Sequence, residues 1–168
     1  MHLVRDPLPQ ARDRAILKVI GIGNPWRRDD AAGLAAARRL QEILPADVDV
    51  REEAGEPTAL IDALDGADAV WLVDAVSSGV EAGTVHRVDA SQRALPAELF
   101  APSTHHFGLA EAIELARALG RLPRTAVAFG IEGSTFEAGD GLSPPVDAAV
   151  GEVAERVRAE VAAWTGAP

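Results

Sequence analysis

An α/β fold, with a mostly parallel sheet covered by helices on both faces, is predicted by three features of the sequence. Short apolar runs alternate with segments of strong helix formers. The strand-like runs are continuous rather than alternating, as strands buried on both faces require. Glycine, proline and paired acidic residues punctuate the junctions between them. At 168 residues the chain suits one domain of ordinary size. The expected architecture is a single three-layer α/β/α sandwich on a mixed, mostly parallel five-stranded sheet.

Residues 1–14 mix Pro, Asp and Arg and lack the apolar stretch of a signal peptide, so they read as a flexible leader to a domain spanning 15–168. Residues 15–23 (AILKVIGIG) form an apolar run closed by a glycine turn, a buried central strand. Asp29 and Asp30 precede a helical segment over 31–44, where acidic side chains would cap free N–H groups and suit the helix dipole. Pro45 stops that helix, and 48–52 alternates as a shorter strand. A helix with Pro in its first turn is predicted over 57–64.

Residues 69–76 (AVWLVDAV) are another buried strand, ending in Ser77, Ser78 and Gly79. Residues 83–88 alternate like an edge strand, and 89–104 form an irregular excursion. A helix over 107–119 is terminated by Gly120 and Pro123, followed by a buried strand at 125–131. Val146, Val150, Val153, Val157, Val161 and Trp164 then keep helical spacing over some five turns. The resulting order is β-α-β-α-β-β-α-β-α.

Composition removes several classes of function. There is no cysteine, which excludes disulfides, thiolate catalysis and Cys-ligated metal centres. The net charge is -10 with basic residues scattered, against the basic face a nucleic-acid binder needs. No apolar stretch is long enough to span a bilayer, so no membrane association and a cytoplasmic location are expected. The glycines at 21 and 23 do not open a dinucleotide fingerprint, because Trp26 stands where a small residue is needed. No Walker loop, His-Glu-x-x-His motif or Gly-x-Ser-x-Gly elbow is present. The glycine turn therefore serves the close approach of a ligand or of another chain segment.

In an open parallel sheet, ligands bind beyond the carboxyl ends of the strands. Asp30 follows the first strand across its glycine turn, Asp74 ends the 69–76 strand, and His105 and His106 close the loop into the third helix. Two carboxylates and an imidazole could converge there, a donor set that suits zinc, nickel or iron. Each has a structural alternative. Asp30 could be an N-cap, Asp74 a hydrogen-bonded buried carboxylate, and the His pair an exposed cap. His86, on the edge strand, is assigned to such a packing role.

The blocks Gly21-Ile22-Gly23-Asn24-Pro25 with Asp29-Asp30 and Gly33, Val73-Asp74-Ala75-Val76, Ser103-Thr104-His105 with Gly108-Leu109, Phe129-Gly130-Ile131-Glu132 and Gly141-Leu142-Ser143-Pro144 occur in this order. Together they resemble the hydrogenase maturation proteases, over essentially everything from residue 15 onward. The resemblance implies an α/β sandwich that cuts a short C-terminal extension from a nickel-loaded hydrogenase large-subunit precursor, next to the cysteine motif holding the metal. It implies contact of Asp30, Asp74 and His105 with that nickel, which the substrate supplies, and no organic cofactor. His106 is the alternative imidazole. Asp29 matches an accompanying acidic position without a metal role. The partner is the precursor, and a monomer is the simplest expectation.

Three other readings compete. A peptidyl-tRNA hydrolase also opens on Gly-Asn-Pro after a first strand, but its Thr-Arg-His-Asn stretch is missing and the acidic charge is wrong for tRNA. A non-catalytic chaperone docking on the hydrogenase precursor would need the same three residues. An unrelated metal-binding α/β module would show tight resting affinity for nickel or zinc.

Overall fold

The computed structural model describes residues 14–100 and 108–166. The five strands are β1 (Leu17–Ile22), β2 (Asp49–Glu53), β3 (Ala69–Val76), β4 (Val85–Asp89) and β5 (Thr125–Glu132). They lie in one sheet in the order β2-β1-β3-β5-β4. All neighbouring pairs are parallel except β4 with β5, so the sheet is mixed and mostly parallel, as predicted. The four α-helices are α1 (Ala32–Ile43), α2 (Pro57–Leu64), α3 (Leu109–Ala118) and α4 (Pro144–Thr165).

The strands are buried because both faces are covered. Alternate residues of β3 enter opposite cores: Trp71 and Val73 pack with α1 and α4, while Val70, Leu72 and Val76 pack with α2 and α3. The valines at 146, 150, 153, 157 and 161 are all nearly inaccessible, so the predicted stripe is the buried face of α4. That helix starts two residues earlier than its apolar stripe, with Pro144 and Pro145 in the first turn, where a missing N–H is harmless. The predicted start of the third helix at Phe107 lies outside the described residues, as do His105, His106 and residues 1–13.

One element differs from expectation in kind. Arg28–Ala31 is a 3-10 turn, and α1 begins only at Ala32. Neither that turn nor α1 has a side-chain cap, so Asp29 and Asp30 are not the predicted N-caps. Both carboxylates bond to other parts of the molecule. The close approach expected at the glycine turn is between chain segments. A Cβ on Gly21 would stand 2.1 Å from the Gly33 carbonyl oxygen, and one on Gly33 would stand 2.2 Å from that of Ile22. Only glycine lets α1 pass this near to the carboxyl ends of β1 and β3. The single lysine, Lys18, is buried in β1 and donates to the carbonyls of Ala63 and Asp65 at the end of α2. Among the described residues no helix is long and apolar enough to cross a membrane.

Candidate functional site

The loops at the carboxyl ends of β1, β3 and β5 form the rim on which the site is built. Two buried carboxylates tie these loops together. Asp29 is fully buried; its Oδ1 accepts from the Ser143 N–H at 2.7 Å, and its Oδ2 accepts from the N–H groups of Ser134 and Thr135 and the hydroxyls of Ser134 and Ser143. It thereby fastens the 3-10 turn to the 133–143 loop that leads into α4. Burial alone would raise the Asp29 pKa, but these donors outweigh it and hold the carboxyl below its ordinary value.

Glu132, the last residue of β5, plays the same part for the loop after β3. Its carboxylate accepts from the N–H groups of Ser78 and Gly79 and the Ser78 hydroxyl, and His86 Nε2 stands 3.2 Å away. Here too burial acts upward, and the surrounding donors bring the pKa below its usual value. His86 therefore has the packing role assigned to it, through a partner that its own sequence neighbourhood does not reveal.

Asp30 and Asp74 are treated differently by the fold. Asp30 accepts one hydrogen bond, from the Asn24 N–H at 3.1 Å. Burial raises its pKa, against the pull of the Arg27 charge and that N–H. Asp74 lies in β3 opposite Gly130, and strand alternation turns it toward the face covered by α2 and α3. Part of the residue still meets solvent, yet its carboxyl sits deep among its neighbours. Burial first, then the nearby Asp30 charge, push its pKa up to about 8, with only the Ala75 N–H opposing them. The structure thus brings Asp30 and Asp74 close enough to repel, with the Arg27 charge and the Asn24 and Ala75 N–H groups opposing the rise among the described residues.

Such a pair is suited to a cation or to proton transfer, since either relieves the repulsion. His105 and His106 lie outside the described residues. Their segment leads by sequence into α3. Among the described residues no three His, Asp or Glu side chains have the arrangement of a metal site.

The roles of Asp29 and Glu132 as loop fasteners escape sequence reasoning. Their donors stand 105 to 114 and 53 to 54 residues away for the backbone contacts. The available signals are the hydroxyl residues Ser134, Thr135 and Ser143 and the placement of Asp29, Glu132 and Ser143 in the family-like blocks, none of which pairs a carboxylate with its donors.

A mostly parallel α/β/α sandwich with a carboxylate pair at its carboxyl rim defines a class of α/β proteins that bind their ligands beyond the carboxyl ends of the strands. Within that class the chain belongs to the hydrogenase maturation protease family, whose description matches residues 35–160. It is 31% identical over 141 residues to the hydrogenase expression/formation protein HupD of Bradyrhizobium diazoefficiens, spanning 81% of this chain and 72% of that one. It is 30% identical over 118 residues to HupD of Thiocapsa roseopersicina, spanning 68% of this chain and only about half, 52%, of the relative's length. Its fold is similar to that of the hydrogenase maturating endopeptidase HybD from E. coli, with a TM-score of 0.74 at 26% identity, covering 87% of this chain and 91% of that one.

Proposed function

We propose that this chain is an endopeptidase that removes the C-terminal extension of a nickel-loaded hydrogenase large-subunit precursor. In this reading Asp30, Asp74 and His105 engage the nickel that the substrate carries. The single observation that supports it most is the Asp30–Asp74 pair, one in the 3-10 turn that follows β1 and the other in the neighbouring strand β3, with Asp74 pushed up to about 8. Near neutral pH most Asp74 carboxyls hold a proton, and an arriving divalent cation would displace it. A precursor without metal offers nothing to neutralise the pair, so binding depends on metal loading.

Amide hydrolysis then needs water to add to the scissile carbonyl, a proton to leave that water, and a proton to reach the departing amine. Once the cation has displaced the Asp74 proton, whichever carboxylate of the pair is not bound to the metal can accept the first proton and deliver the second. The nickel carried by the substrate, held among Asp30, Asp74 and His105, would supply polarisation of the carbonyl or a lowered pKa for the attacking water. The protein acts in the cytoplasm as a monomer, on a protein partner and not on nucleic acid or membrane.

The test is intact-mass analysis of the cognate nickel-loaded precursor after incubation with this protein, beside a metal-free control. Loss of a C-terminal fragment from the loaded form alone is expected. Cleavage of both forms would remove nickel from the reading, and binding without cleavage of either would leave a chaperone. Asp74→Asn is expected to lower kcat by about a hundredfold or more; an undiminished rate would take Asp74 out of the chemistry.

A further inference from the structure

Five large apolar side chains stand exposed among the described residues: Trp26, Ile43, Val80, Leu115 and Leu119. Trp26, 70% exposed, and Val80, 49% exposed, lie on the loops that follow β1 and β3. Those neighbouring strands are the ones whose carboxyl ends carry Asp30 and Asp74. Ile43 and Leu119 stand at the far ends of α1 and α3, away from that rim. The apolar surface of the rim is thus placed beside the carboxylate pair, with the indole four residues from Asp30 on the same loop.

That indole is held on a fixed backbone. The Trp26 N–H donates to Asn24 Oδ1 at 2.9 Å, and its carbonyl accepts from the Gly139 N–H at 2.9 Å. Arg28 N–H donates to the Gly139 carbonyl at 3.1 Å, and Arg27 Nε donates to the Phe136 carbonyl. Arg28 has a φ of 47°, a backbone state that a non-glycine residue keeps only where its surroundings impose it. The flanking guanidinium of Arg28 packs against Gly139 and that of Arg27 faces the 136 carbonyl, so both arginines are engaged by the 133–143 loop. A loop constrained to this degree while its largest side chain stays in water has the form of an interface anchor, for which tryptophan is the commonest residue.

We propose that Trp26 is a specificity-determining residue, which docks an apolar side chain of the precursor beside the scissile bond, with the exposed Val80 on the loop after the neighbouring strand β3. This rests on the endopeptidase reading. The incoming substrate segment is the occupant that fits. A permanent partner or a second copy seated on Trp26 would also cover Asp30, whereas a substrate covers both only during turnover.

Steady-state cleavage of the nickel-loaded precursor by unaltered protein, Trp26→Ala, Trp26→Phe and Leu119→Ala tests it, with thermal melts confirming that each folds. Trp26→Ala is expected to raise KM by about tenfold or more with kcat within about twofold, Trp26→Phe to recover most of the loss, and Leu119→Ala to change neither. A KM for Trp26→Ala within about twofold of the unaltered protein overturns the proposal, as does an equal rise for Leu119→Ala. If the unaltered protein binds the precursor without cutting it, the endopeptidase reading fails. The same comparison of variants is then decided on the equilibrium dissociation constant, with the same expected and overturning outcomes. Absence of any binding by the unaltered protein overturns both.

Discussion

Asp29 and Asp30 are consecutive in the chain, yet the fold moves their pKa values in opposite directions. Asp29 is the more deeply buried by exposure, but it gathers five hydrogen-bond donors and stays ionised. Among the described residues Asp30 accepts from the Asn24 N–H and feels the Arg27 charge, and these do not offset its burial beside Asp74. The same contrast separates Glu132, surrounded by donors from the 78–79 turn and His86, from Asp74, which stands two positions along β3 from Val76, the register partner of Glu132. Burial is therefore not what marks the candidate chemical groups. The marker is burial that the donors among the described residues do not offset, because the negative charge is then left for a proton or a cation to balance.

The comparison can be broken most sharply at Asp29. Asp29→Asn puts an amide N–H2 among groups that are nearly all donors, and is expected to cost about 3 kcal/mol or more of stability, read by chemical denaturation. A loss below about 1 kcal/mol would show that the donors do not depend on the charge. The sign with pH follows from its lowered pKa: the stabilisation is present above the ordinary carboxyl value and is lost as pH falls through the folded value.

Asp74→Asn is expected to do the reverse. Its folded pKa of about 8 lies above the ordinary 3.8, so the folded protein holds a proton that the unfolded chain releases. Asp74 therefore weakens stability progressively as pH rises from about 4 to about 8. Asparagine removes that penalty, and a gain of about 2 kcal/mol or more at pH 8 that vanishes near pH 4 is expected in paired denaturation curves. An equal gain at both pH values would mean that packing, not ionisation, is responsible.

The smallest effect is expected at Glu132→Gln. The amide can still accept from Ser78 and Gly79 N–H and can donate to the Ser78 hydroxyl and to neutral His86, so the loss is expected near 1 kcal/mol. Glu132→Ala, which orphans all of these groups, is expected to cost about 3 kcal/mol. Similar values for the two would indicate that the carboxylate charge itself anchors the 77–79 turn.

Amino-acid patterning alone determined most of the architecture. The order of strands and helices follows from local periodicity, and the parallel sheet from continuous apolar strands, because burial on both faces demands such runs. The valine stripe from 146 to 161 delimited the buried face of α4 before any neighbour was known. The positions of Asp30 and Asp74 at strand ends were legible for the same reason. Only the tertiary structure decided what each acidic residue does. A helix cap is a local interaction, and Asp29-Asp30 ahead of a helix satisfies its local rule; the 3-10 turn and the 134–143 loop override it. Whether a buried carboxylate is held by donors or left facing another carboxylate depends on contacts between residues up to 114 positions apart, and no local pattern encodes which distant N–H groups the folded chain brings within reach.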